Sequence, residues 1–371
     1  LPTGVHGQPL VFGDDAENLR KEGKAVIGGA NYSDRLEMNR DFGQKEMLAA
    51  GLHECPSWHF SSFDDAIEFV RKNPERYVVK PNGSAQNEKI LSFVGQEEDG
   101  LDILTMLRHY KKGWGSKIKT FQLQKYISGV EVAVGAFFDG KEFVGPCCIN
   151  FEHKRLFNGE IGPATGEMGT SMYWGEGGKL FEQTLLKMAP RLAAVGYTGY
   201  FDINCIANNR GIYPLECTSR FGMPTLSIQM EAMLSPIGEF LYGLAKGSAP
   251  ALKVKKGFQI GVVVAVPPFP FEDPKTFKKY SEDSAILFKK PMKEGIWPAD
   301  IKLVDGEDWL LTGSSGYVMV VTGSGPTMED ARKEAYGRVK NVMVPNMFYR
   351  TDIGERWSRD GDLLRTWGYA T

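Results

Sequence analysis

Residues 199–222, GYFDINCIANNRGIYPLECTSRFG, admit few structures. Two short apolar segments flank Asn208-Asn209-Arg210, and each carries one acid, Asp202 or Glu216. A three-residue hairpin loop predicts two antiparallel strands with Asp202 directly opposite Glu216. Side chains alternate along a strand, so Tyr200, Asp202 and Asn204 share one face. Facing carboxylates repel and weaken a sheet. A divalent cation between them removes the repulsion, and Mg²⁺ takes carboxylates, amide oxygens and waters, usually with phosphates. Arg220 follows one turn later, where an anionic substrate group has room. Alternatively, the acids decorate an exposed hairpin.

The 371 residues suffice for two or three compact units with a sizeable core. Hydrophobic content of 42% and charged content of 24% are ordinary for globular chains. A net charge of −2 supplies no basic field for nucleic acid or membrane. Cys55, Cys147, Cys148, Cys205 and Cys217 lack metal-ligand spacing and read as buried thiols of a reducing compartment. Neither a membrane-spanning run nor a signal peptide is visible, so the expected location is the cytoplasm. The chain starts at Leu1, which leaves room for residues upstream.

Along the chain, periodicity predicts helices over 14–22, 36–50, 179–195, 227–244 and 327–342, and another opened by Ser62. Strands are expected at 25–27, 77–79, 261–266 and 316–321. Segments 121–126 and 131–138 read as a strand pair joined through Ser128-Gly129. Residues 153–174, HKRLFNGEIGPATGEMGTSMYW, carry four glycines with no period and read as a functional loop. Thr327 is the expected cap of the 327–342 helix, with Glu329 and Asp330 in its first turn.

Lys80 ends a strand beside an Asn-Gly turn, where a lysine holds phosphate as a point charge; Lys89 is a weaker candidate. Gln124, Lys125 and Tyr126 lie on a strand before Glu131, an arrangement that offers backbone amides to a purine edge and a carboxylate to ribose hydroxyls. His153-Lys154-Arg155 sets cations beside the glycine-rich segment. There Gly162, Thr165 and Gly166 allow backbone N–H groups to approach phosphate or carboxylate closely. A surface lysine, a plain hairpin and a solvated basic turn are the respective alternatives. No phosphate-binding GxxxxGK[ST] loop and no GxSxG elbow occurs. Cations for polyphosphate, acids for Mg²⁺ and a glycine-rich cover together suit ATP-driven phosphoryl transfer.

VVKPNG, SGVEVAV, HKRLFNGEIGPATGEMG, PLECTSRFG and GYVMVVTGSGPTMEDARKEAYGRV with MFYRTDIGER make the chain resemble the ATP-grasp enzymes. Within them it is most similar to the phosphoribosylamine–glycine ligase family, over about residues 36–356. The resemblance implies an α+β and α/β fold: two lobes clasping ATP plus a C-terminal mixed α/β domain. Its divisions are 1–35, a remnant N-terminal segment; 36–117, the first lobe; 118–250, the second lobe; and 251–371, the C-terminal domain. It implies Lys80 on phosphates, Glu131 on ribose, the backbone at Gln124, Lys125 and Tyr126 on adenine, and Asp202, Glu216 and Thr218 on Mg²⁺ or Mn²⁺. Lys154, Thr165, Gly166 and Arg220 face the substrates, and Gly162, Thr165 and Gly166 bind the nucleotide. The chemistry implied is a carboxylate attacking the γ-phosphate to give an acyl phosphate, from which an amine displaces phosphate. Partners are a glycine-like carboxylate and a small amine; the oligomeric state stays open.

The departures bear on the substrate. The family's Arg-Phe-Gly-Asp-Pro-Glu is here Arg220-Phe221-Gly222-Met223-Pro224-Thr225, without either acid. The glycine-rich loop after the lysine strand is replaced by residues 84–88, SAQNE. Three readings follow. One is a ligase making a glycinamide-ribonucleotide-like product in purine biosynthesis, and another joins an amino acid to a peptide or modified nucleoside. The third is a nucleotide-binding homologue without catalysis, against which Lys80, Asp202, Glu216 and Arg220 together speak.

Overall fold

A computed structural model describes residues 12–83, 85 and 91–370, so Lys89 and most of 84–88 lie outside the described residues. Helices α1 (Gly13–Lys21), α2 (Asn31–Met38) and α3 (Arg40–Ala49) come first. The single helix expected over 36–50 is interrupted at Asn39, whose extended backbone and side chain cap α3 by accepting from Phe42 N at 3.0 Å. Asparagine favours such local bonds over a helix interior. Residues 25–27 form no strand; Gly28 makes one isolated bridge to Thr198.

The first sheet is antiparallel, in the order β1 (Ser57–Phe60), β4 (Phe121–Lys125), β2 (Tyr77–Pro81), β3 (Phe93–Val94). Helices α4 (Phe63–Lys72) and α5 (Leu101–Gly113) cover one face. Tyr77, Val79, Phe121 and Leu123 point into that core with Ile67 and Leu107. By alternation Val78, Lys80, Gln122 and Gln124 occupy the other face. The register sets His59, Gln122 and Lys80 in one cross-strand row.

The second sheet has eight strands. Strands β5 (Val130–Asp139) and β6 (Phe143–Glu152) are followed by a small hairpin, β7 (Arg155–Phe157) and β8 (Ile161–Ala164), and by β9 (Gly169–Gly175). Next come α6 (Gly178–Gln183), α7 (Leu185–Ala194), β10 (Thr198–Asn208), β11 (Gly211–Thr218), α8 (Thr225–Ala232) and α9 (Ile237–Ala245). The C-terminal part adds β12 (Phe258–Ala265), α10 (Pro274–Tyr280), β13 (Leu287–Phe288), β14 (Ile296–Pro298), β15 (Ile301–Val304) and β16 (Asp308–Leu311). It closes with β17 (Tyr317–Gly325), α11 (Met328–Val339), β18 (Val342–Met343) and α12 (Trp357–Thr366). The order is β11-β10-β5-β6-β9-β12-β17-β14.

Several expectations change. The pair 121–126 with 131–138 does not form: β4 belongs to the small sheet, β5 to the large one, and residues 126–129 cross between them. The small lobe therefore reaches 125 rather than 117. The C-terminal mixed α/β domain joins the large sheet through the pairing of β12 with β9. Residues 153–174 are not irregular throughout but hold β7, β8 and β9. The helices expected over 179–195 and 227–244 each divide in two, at Thr184 and at Ser235-Pro236; proline gives no N–H to continue a helix. Among the described residues no helix is long and apolar enough to cross a membrane.

Candidate active site

The β10–β11 hairpin has a two-residue turn rather than three: Asn208 pairs with Gly211. The Asn208 side chain closes it, accepting from Arg210 N at 2.9 Å and donating to Ser128 O at 2.9 Å. A bulge then shifts the register, with Leu215 as the extra residue. Asp202 consequently faces Thr218, and Asn204 faces Glu216. The expected Asp202–Glu216 opposition is thus a diagonal, still on one face. Turn and bulge each shift the pairing by one residue in the same sense, and a net shift of two keeps the side chains on the intended side.

That face gathers acids from four strands: Glu131 on β5, Glu152 on β6, Asp202 on β10 and Glu216 on β11. Lys154 Nζ sits among them, 2.9 Å from Glu131, 3.1 Å from Glu152 and 3.8 Å from Glu216. Burial disfavours the Lys154 charge, but Glu131, Glu152 and Glu216 outweigh it and hold its pKa well above the usual lysine range. Asp202 is 7% exposed and its Oδ1 has no partner. Burial, then the Glu152 charge, push its pKa well up. Glu167, 8% exposed with Oε1 unpartnered, is raised by burial and by Glu152 in the same way.

Lys80 of the small lobe and Arg40 of α3 present cations to this face. Burial and the Arg40 guanidinium push Lys80 down to about 8, while Glu216 pulls the other way. Arg40, at the start of α3, donates to Pro81 O at 2.5 Å. Gln122, fully buried beside Lys80, has both polar atoms unpartnered, and so does Gln124 Nε2. The backbone amides of Lys125 and Tyr126 are already engaged, with Pro56 O at 2.8 Å and Arg76 O at 2.9 Å. The Lys125 ammonium pairs with Glu75 at 2.7 Å, and the Arg76 guanidinium lies 3.5 Å above the Tyr126 ring.

The glycine-rich segment is anchored at both ends. Thr165 N and Oγ1 both donate to Lys154 O, at 2.8 and 2.9 Å. At Gly162, φ is +85° and a Cβ would lie 2.7 Å from the Phe157 ring, so only glycine fits. Gly166 is exposed. Arg350, 1% exposed, donates to Arg155 O at 2.9 Å and pairs with Glu160 at 2.6 Å and Asp352 at 2.7 Å. His153 is pushed down to about 3 by burial and by Arg356 and Arg350, and stays neutral. Arg220 is exposed and pairs with Glu37 at 2.8 Å, and its charge opposes the rise of the Asp202 pKa.

Sequence reasoning missed Glu152, Glu167, Gln122, Arg40 and Glu37. Glu152 was traceable, standing two residues before Lys154 at a strand end; the others depend on long-range packing. Among the described residues no three His, Cys, Asp or Glu side chains are arranged to hold a metal by themselves. The donor set of Asp202, Asn204, Glu216 and Thr218 suits a Mg²⁺ whose shell is completed by phosphate and water, and the unpartnered Asp202 Oδ1 is consistent with it.

Two sheets facing each other across a cleft, Lys80 on one and the acids on the other, define the ATP-grasp class. Solved structures share this fold. A Thermotoga maritima phosphoribosylamine–glycine ligase superimposes with TM-score 0.69 at 23% identity, over 88% of this chain and 81% of that one. The biotin carboxylase domain of Hydrogenobacter thermophilus 2-oxoglutarate carboxylase, solved with MgADP and bicarbonate, gives 0.61 at 15%, over 96% and 77%. The ATP-grasp (A) domain of phosphoribosylglycinamide synthetase matches residues 38–224 and its C domain residues 259–356. The chain belongs to the phosphoribosylglycinamide synthetase family. Phosphoribosylamine–glycine ligases of Listeria monocytogenes and Corynebacterium ammoniagenes are 26% and 27% identical; each alignment covers 94% of this chain, and 82% and 80% of the relative.

Proposed function

We propose that this protein is an ATP-dependent, ADP-forming carboxylate–amine ligase that joins a glycine-like amino acid to phosphoribosylamine. The observation that carries the proposal is the opposition of Lys80 and Arg40 to the acid face of Asp202, Glu216 and Glu152. Lys80 and Arg40 hold the polyphosphate, and Glu131 takes the ribose hydroxyls. Gln122 and Gln124 line the small-lobe wall beside the nucleotide. Asp202, Glu216, Asn204 and Thr218 would hold Mg²⁺, which when bound would neutralise phosphate charge. The substrate carboxylate attacks the γ-phosphorus and ADP leaves. The amine then attacks the acyl carbon, the C–O bond to phosphate breaks, the departing phosphate takes the amine proton, and the amide forms. Lys154, freed from its three acids when phosphates arrive, follows the transferred group. The β7–β8 hairpin, tied down by Arg350, shields the acyl phosphate from water.

The deciding experiment is phosphate release with ATP, Mg²⁺, glycine and phosphoribosylamine, each omitted in turn. Turnover that requires all four supports the proposal. ATP binding without turnover for any amino acid and amine refutes it. Met223 and Thr225, at the start of α8 where the family pattern has acids, favour a second reading in which the amine differs. A panel of amines separates the two.

A further inference from the structure

Beyond the acid face, the large sheet runs under α8 and carries a second group of polar side chains that the proposed chemistry does not use. Asn150, Gln229 and Gln259 are 0%, 1% and 0% exposed, and all six of their polar side-chain atoms lack a hydrogen-bond partner. Tyr200 OH and Thr170 Oγ1 are buried and unpartnered as well. Asn150, Tyr200 and Gln229 converge on the Cys148 thiol, a weak hydrogen-bond partner that all three share, and none makes a hydrogen bond of regular geometry. Buried amides left in this condition cost about 1–3 kcal/mol each, so a native interior rarely collects them without an occupant.

Their placement connects them to the reaction centre. One cross-strand row runs Glu216, Asn204, Ala133, Asn150, Met172, Gln259. With strands about 4.8 Å apart, Asn150 is roughly 10 Å from Asn204. The small side chain of Ala133 lies between the two. In the neighbouring row Gly135 has no side chain, and the Tyr200 hydroxyl lies over it. Phe137 holds the Tyr200 ring edge-on at 5.3 Å. Gln229 projects from α8, the helix that follows the divergent Met223-Pro224-Thr225. These side chains are neutral and carry both donors and acceptors. They suit a neutral group that also donates and accepts, such as sugar hydroxyls or a carboxamide, and not a phosphate.

We propose that Asn150 and Gln229, with Tyr200, form the specificity pocket for the neutral, hydrogen-bonding part of the amine substrate. The proposal rests on the ligase reading above. Its test uses the near-isosteric variants Gln229→Met and Asn150→Leu in the full chain, with ATP and glycine at saturation. Two amines are titrated: phosphoribosylamine, which carries hydroxyls, and glycinamide, which carries a carboxamide. The amine that wild type uses identifies the group recognised. In the variants its KM increases about tenfold, the loss of one hydrogen bond of about 1.4 kcal/mol. KM for ATP stays within about twofold, and the melting temperature holds or rises because unpartnered amides are gone. An unchanged amine KM in a folded variant, or equal shifts in every KM, overturns the pocket. If Asn150→Leu does not fold, Gln229→Met and Asn150→Ser decide by the same readout. A wild type inactive with both amines refutes the ligase reading, and this pocket with it.

Discussion

Lys154 shows how a single residue can stand in for ligands. Its ammonium neutralises the acids proposed for ribose and metal, so nucleotide and metal must displace it. Lys154→Met should therefore bind Mn²⁺ more tightly than wild type in the absence of nucleotide, by about tenfold in a paramagnetic titration, and turn over far more slowly. Glu216→Gln should lower kcat by a factor on the order of 100 or more with an unchanged melting curve; full activity would refute the metal assignment. Lys80 gives a pH signature. Its pKa of about 8 lies below the unfolded value, about 10.4. Between these values the unfolded chain binds more protons, so stability increases as pH climbs through that window. Phosphate favours the charged lysine, so ATP affinity should fall above pH 8 and binding there should take up a proton. Calorimetry in two buffers, compared with Lys80→Met, measures both effects.

At the scale of elements, the β7–β8 hairpin depends on Arg350, which satisfies one backbone carbonyl and two carboxylates from a buried position. Arg350→Met should leave the core folded and loosen the hairpin. Limited proteolysis within 157–162 is then expected to speed up on the order of tenfold, equivalent to about 1.4 kcal/mol of local stability. Local signals were the legible ones. Thr327 caps α11 by accepting from Asp330 N at 3.1 Å, and Ser62 caps α4 likewise. The acid hairpin and the lysine strand were also visible, because alternation and turn residues are written in adjacent positions. The Leu215 bulge was not, since a bulge is set by the partner strand. Assigning β4 and β5 to different sheets depends on contacts with β1 and β10, far away in sequence. Glu167 looked like one more loop residue until burial set it beside Glu152 and Asp202.

Over the whole molecule, ligands that touch both lobes should couple them. MgATP at about 100 times its Kd adds about 2.7 kcal/mol to the stability of the bound form. Differential scanning fluorimetry should register that as a rise of a few degrees, which EDTA reverses and Glu216→Gln blunts. A melting curve that MgATP leaves unmoved would count against a nucleotide between the sheets. The chain enters the small lobe after Pro56 and leaves after Lys125, and those two crossings touch, with Lys125 N donating to Pro56 O at 2.8 Å. The small lobe is therefore an insert with adjoining ends. Such a module can be lifted out, replaced by a short linker, or exchanged for a relative's without rethreading the large sheet.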